Sequence, residues 1–167
     1  AILTNTEGGV SVQRYGQTSS VKGSSGLLLY EGDTVKTANA SRTSLAFLNG
    51  NVIKVNEGSE FSLEISEKIE DTGSGLFMKF GQLFSKVMRR QARFSVNTPV
   101  ATIAVRGTEF DANLGKPRGM KNIRRDGQNF RVPDQNLNVN VFEGLVNLAN
   151  PFGEQNIGAG QSASVQG

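Results

Sequence analysis

The sequence predicts an all-β chain, a solenoid-like stack of short strands forming a single domain with one basic loop insertion. Three observations lead there. First, Gly58-Ser59-Glu60-Phe61 returns as Gly107-Thr108-Glu109-Phe110, 49 positions later, and Gly32 in Tyr30-Glu31-Gly32-Asp33 stands the same 49 positions before Gly81 in Phe80-Gly81-Gln82. Fixed offsets of this size are the mark of a unit used twice in stacked architectures. Second, apolar and polar residues alternate through most of the chain, the period of half-buried strands. Third, 20 glycines against 4 prolines suit many strands joined by tight turns. A further mark, Phe142-Glu143-Gly144, lies 63 positions after Gly81, and the excess of 14 falls across residues 115–135, which the layers do not need.

The elements follow in order. Val10-Ser11-Val12-Gln13 reads as a short strand and residues 17–26, rich in glycine and serine, as a loop. Leu27-Leu28-Leu29 leads into the turn at Gly32, and Thr34 to Thr37 continues extended. Residues 43–48 and 51–55 flank Asn49-Gly50, a pair that favours the positive φ angles of a type I′ hairpin turn. Phe61, Leu63 and Ile65 share one face of the next strand. Residues 76–88 fit a helix period and also a strand that breaks at Gly81; the repeat register favours the strand. Further strands are expected at Phe94–Val96, 100–105, 109–114, 137–141, 146–149 and 163–165.

At 167 residues the chain is long enough to bury a substantial core as one domain. It contains neither cysteine nor histidine, which removes thiolate and imidazole chemistry, and with it the commonest zinc sites and nucleophile–base pairs. A carbohydrate-active enzyme would need two poised carboxylates in a cleft, and no spacing singles out such a pair. The expectation is a non-enzyme without cofactor or metal. No apolar run is long enough to span a membrane. Beginning at Ala1, the chain fits removal of a secretory signal and fits a trimmed segment equally well.

Charge comes in blocks. Residues 57–71 carry a net of −5, residues 79–93 a net of +5, and residues 116–131 again +5. The first two blocks can pair across neighbouring strands. The third, with Lys116, Arg118, Lys121, Arg124, Arg125 and Arg131, lies in the insertion. It reads as a solvated loop, as a contact surface for an acidic protein, glycan or lipid head group, or as a phosphate binder. With Phe130 its single aromatic ring, the last reading lacks the stacking residues that single-stranded nucleic acid uses.

Val105-Arg106-Gly107-Thr108-Glu109-Phe110 is the strongest motif. A catalytic reading makes Glu109 a base and Arg106 an anion clamp. In the structural reading Gly107, like Gly58, permits a backbone turn, while Phe110, like Phe61, fills the core. Arg106 would then be buried, its fork of donors tied to carbonyls or to Glu109 or Asp111. Because the earlier copy repeats glycine, glutamate and phenylalanine without the arginine, the structural reading is preferred.

With these residues in view, the chain resembles the FecR-type domain of bacterial envelope proteins. The resemblance rests on Leu29 with Glu31-Gly32-Asp33-Thr34-Val35 and Thr37, on Ser41 to Phe47, and on Asn49-Gly50. It continues through Phe94-Ser95-Val96-Asn97-Thr98-Pro99 into the motif at Arg106, then Val141 with Glu143-Gly144-Leu145-Val146, and Ala159-Gly160-Gln161. It covers residues 9–165, with 115–135 as an insertion. It implies an extracytoplasmic, periplasmic β domain used for protein contacts, with an envelope protein as partner and no nucleic acid. The best-known members regulate a sigma factor through an anti-sigma segment, a membrane helix and a C-terminal signalling region, none of which lies within these residues. The expectation therefore leans to a structural or binding module of an envelope assembly, such as a surface layer or a periplasmic flagellar filament sheath. The sensor portion of a FecR-type sigma-factor regulator is the alternative. The basic residues of the insertion are the candidate contacts for an acidic partner surface.

Overall fold

Alternating side chains place one residue in two on the core face, and most of the fifteen strands among the described residues follow this rule. The computed structural model describes residues 1–65, 74–86 and 93–166. The first half supplies β1 (Ile2–Glu7), β2 (Val10–Gln13), β3 (Ser20–Lys22), β4 (Thr34–Thr37), β5 (Arg42–Ala46), β6 (Val52–Val55) and β7 (Glu60–Ile65). The second half has longer elements: β8 (Ser74–Lys86), β9 (Arg93–Asn97), β10 (Thr102–Leu114), β11 (Met120–Arg125), β12 (Gln128–Pro133), β13 (Asn136–Asn150), β14 (Gly153–Gly158) and β15 (Ser162–Gln166). Thirteen strands form one sheet, and β11 with β12 forms a separate two-stranded one.

The all-β expectation holds, while the stacking is of another kind. Coils of a solenoid meet through parallel neighbours, whereas every pairing among the described residues except β8 with β9 is antiparallel. Layering comes instead from three long strands that change partners midway. The first half of β8 pairs with β7 and β9, and its second half with β6 and β10. β10 passes from β9 to β8 between Arg106 and Glu109, and β13 passes from β15 to β14 between Asn140 and Leu145. The sheet therefore divides into two runs that share one core, with Leu3, Leu45, Ile53, Met78, Phe94, Phe110 and Leu137 among its buried side chains.

Glycine marks each change of partner. Gly81, Gly107 and Gly144 have φ of 121°, 53° and 85°, in the region that side chains with a Cβ rarely adopt. At Gly81 a Cβ would sit 2.1 Å from Oγ of Ser59, whose hydroxyl donates to the Asn56 carbonyl and accepts from the Gln82 N–H. At Gly144 it would lie 2.9 Å from the carbonyl oxygen of Gly107. Backbones cross here too closely for any side chain. In the sequence Gly81 and Gly107 read as turns. Gly32 and Gly58 do lie in turns between short strands, whereas Gly81 and Gly107 are bends inside continuous ones. The 49-residue offset survives where packing demands it: Phe61 and Phe110 are both buried, at 2% and 0% exposure.

Residues 74–86 are a strand, as the repeat register favours, with Leu76, Met78 and Leu83 buried; Val87 and Met88 lie outside the described residues. The hairpin at Asn49-Gly50 forms, with a different turn. Only Gly50 has positive φ, at 91°, and Phe47 and Asn51 close a three-residue loop through a 2.9 Å hydrogen bond. β1, β3 and β14 were not anticipated; the first two lie at the chain start and in the Gly/Ser-rich stretch. Part of the expected charge pairing is present, with Lys79 3.4 Å from Glu60 across β7 and β8. Glu67, Glu70, Asp71, Arg89 and Arg90 lie outside the described residues.

Candidate binding surface

The insertion is an ordered hairpin arm, not the expected loop. Asp126-Gly127 carries φ of 51° and 78°, the double positive that a two-residue type I′ turn needs, and Arg125 pairs directly with Gln128. Bonds from Gly115 to Asn136 and between Gly119 and Asp134 join the arm to the end of the β10–β13 hairpin. Buried Gln135 secures the junction, its amide donating to the carbonyls of Lys79 and Gly115 at 2.9 and 2.8 Å.

Alternation gives the arm two faces. Lys121 with Val132 and Ile123 with Phe130 are cross-strand pairs on one of them, and all four are half-buried. Phe130 meets Phe152 edge to face, with ring centres 5.1 Å apart, and the Arg125 guanidinium lies 5.4 Å from the centre of the same ring. The arm thus leans on the turn between β13 and β14. A groove of about 660 Å³ opens between the arm, that turn, Pro99-Val100 and the end of β15.

The six candidate cations divide. Arg118 reaches Asp134 at 3.0 Å, and Lys121 lies 3.9 Å from the same carboxylate. Lys116 sits 5.7 Å from the centre of the Phe80 ring. Arg124, Arg125 and Arg131 are exposed and have no acidic partner among the described residues. Lys121 is half-buried. Asp126-Gly127 was the signal for this hairpin, and it stood in the sequence beside the more conspicuous charges.

The motif around Arg106 departs from expectation. Arg106 is exposed, and its side chain makes no hydrogen bond or ion pair with a described residue. Glu109 lies 3.9 Å from Lys86, and Asp111 accepts from the Asn140 amide at 2.7 Å. Strand parity is the reason. Val105 occupies the core side of β10, so its neighbour Arg106 faces solvent, and the bend at Gly107 then resets the alternation to bury Thr108 and Phe110. Thr108, not Arg106, ties the crossing, its hydroxyl 2.9 Å from the carbonyl oxygens of both Arg106 and Leu145.

The buried ionic tie lies elsewhere. Asp33, at 2% exposure, accepts from Arg14 at 2.5 Å and from the N–H groups of Tyr30 and Tyr15 at 2.9 and 3.3 Å. Arg14 also donates to the Leu28 carbonyl and lies over the Tyr30 ring. The tie to a carbonyl and a carboxylate expected of Arg106 is made here by one terminal nitrogen of Arg14, joining the loop after β2 to the Gly32 turn.

The structure thus sets a basic arm beside a groove on an all-β scaffold of two sheet runs. The family model described as FecR protein matches residues 33–147; the chain belongs to the FecR family. That stretch takes in Asp33, the Gly81 and Gly107 bends and the whole arm. No curated protein sequence matches the chain significantly. Two crystal structures of a candidate anti-sigma factor from Parabacteroides distasonis ATCC 8503 share the fold, each at TM-score 0.59 and 18% identity over 80% of this chain. The chain spans 54% of the length of that protein. Among the described residues, no helix is long and apolar enough to cross a membrane.

Proposed function

We propose that this domain is a non-enzymatic, extracytoplasmic protein-binding module, serving as the sensor portion of a FecR-type regulator of a sigma factor. The observation that carries the proposal is the FecR match over residues 33–147. The shared fold of a longer candidate anti-sigma factor points the same way. The reading of a filament-sheath or surface-layer subunit draws on neither comparison. In the sensor reading the β scaffold holds a recognition surface rigid, and loops or arms on such scaffolds are where binding concentrates. The basic arm, with Arg124, Arg125 and Arg131 lacking acidic partners among the described residues, is the part of that surface suited to an acidic protein partner.

Two experiments test this. The reading frame around the segment should encode an anti-sigma region and a membrane helix. A frame consisting of a signal peptide, this domain and nothing else would favour the assembly-subunit reading. In the producing bacterium, excess isolated domain in the periplasm should compete for the signalling partner and shift a sigma-dependent reporter. A reporter unmoved by a folded, exported domain counts against the sensor role.

A further inference from the structure

Each edge strand of a sheet leaves a row of unpaired N–H and C=O groups, and proteins usually guard such rows with charge, proline or a covering segment. β3 carries Lys22 and β14 carries Glu154. β1 carries Glu7, and its residue Leu3 is bonded to Gly26 and Leu27 in the loop before β4. β15 has β13 as its one strand neighbour, and Ser162-Ala163-Ser164-Val165-Gln166 includes no charge and no proline. Among the described edge strands of the large sheet, it is the one left without a guard.

The same strand borders the groove beside the arm, through Val165 and Gln166. Ile123, Phe130, Val132 and Phe152 give that groove an apolar lining, while Arg125 and Arg131 border it with Asp126 as the opposing charge. Its volume falls within the range of about 300–1,000 Å³ usual for ligand sites. Taken as a whole, residues 115–135 hold six cations against Asp126 and Asp134, and Asp134 is already engaged by Arg118 and Lys121. The field at the groove therefore favours an anionic ligand, and clefts with low-dielectric walls concentrate such fields.

We propose that this groove receives an extended acidic segment of a protein partner, added as a strand to the open edge of β15. Backbone hydrogen bonds to β15 supply the register. Alternate side chains of the segment enter the groove against Phe130 and Phe152, and its carboxylates meet Arg125 and Arg131. This is the strand-addition mode of peptide recognition, with arginine forks suited to carboxylates. The proposal rests on the protein-binding reading above and names the site and the chemistry of the partner.

The test uses a phage-displayed library of random dodecapeptides panned against the folded domain. Enriched sequences should alternate Asp or Glu with apolar residues. A synthetic peptide from that pool should bind at least tenfold more weakly to the double variant Arg125→Glu, Arg131→Glu. It should bind unchanged to Lys54→Glu, which reverses an exposed cation on β6. Amide hydrogen exchange should slow in residues 162–166 when the peptide is bound. No enrichment, enrichment without acidic bias, or binding indifferent to the double reversal overturns the proposal. So does protection that falls outside β15 and the arm. Sedimentation that shows a dimer abolished by the same reversals would assign the edge to a second copy of this chain instead. Each of these failures leaves the sensor reading to its own reporter experiment, which does not depend on where the partner binds.

Discussion

Two hairpins in this molecule carry nearly the same dipeptide and fold differently. Asn49-Gly50 sits in a three-residue loop joining β5 and β6, with positive φ at the glycine alone, whereas Asp126-Gly127 forms a two-residue turn with positive φ at both positions. Core parity explains the difference. Residues opposite one another in an antiparallel pair share a face, and a shift of one residue sends a whole set to the wrong side. A two-residue turn at Asn49-Gly50 would set Leu45 opposite Lys54. The observed loop sets Leu45 opposite Ile53 and Thr43 opposite Val55, all four buried. In the arm, Ile123 must meet Phe130 and Lys121 must meet Val132, a parity that the two-residue turn satisfies. Burial chose the turn in the body. In the arm, where burial is shallow, the preference of the turn residues and the parity agree.

The contrast between a body governed by burial and an arm governed by local preference can be broken by experiment. The largest effect is expected at the two aspartates. Asp33→Ala removes a buried partner of Arg14 and should cost about 3–5 kcal/mol, whereas Asp134→Ala dissolves an exposed pair worth about 0–1 kcal/mol. Urea unfolding of both variants checks the difference, and similar losses would erase the distinction between body and arm. Next, Leu45→Ala should cost about 2–5 kcal/mol. Ile123→Ala, half-buried on the arm, should cost about 1 kcal/mol or less.

Glycine changes sharpen the comparison further. Either Gly50→Ala or Gly127→Ala places a Cβ in a left-handed conformation at a local cost of about 1–2 kcal/mol. At Gly50 the cost should appear in global unfolding. At Gly127 it should appear as faster amide exchange within β11 and β12, with the global midpoint held, because parts of a protein can open below the global free energy. The smallest effect is expected at Arg106→Lys, within about 0.5 kcal/mol in either direction, since the guanidinium is exposed and has no partner among the described residues. A large drop in Tm for that variant would restore the arginine to a structural role.

The residues most legible in the sequence were those whose burden is local. Phe61 and Phe110 stood out through the repeat and are both core, and the alternation over residues 137–141 became the first half of β13. Arg106 was misread because a motif shows which residues stand together and not which face each takes. A bend at Gly107 reversed the alternation within two residues. The Asp33–Arg14 tie was illegible for a different reason: its members are 19 positions apart, on segments whose approach depends on the packing of β2 against β4.

The sequence by itself determined that the described residues would be built from strands, that glycines among them would mark changes of direction, and that residues 115–135 would carry a basic charge. These follow from backbone sterics, from the two-residue period of strands and from composition, all of which act over a few neighbours. Tertiary structure alone decided that Gly81, Gly107 and Gly144 bend continuous strands instead of ending them. It also decided that Arg106 faces solvent, that the arm leans on Phe152, and that the open edge of β15 lies beside the groove. Each of those depends on which distant strands must share a core, and apolar burial is indifferent to distance along the chain.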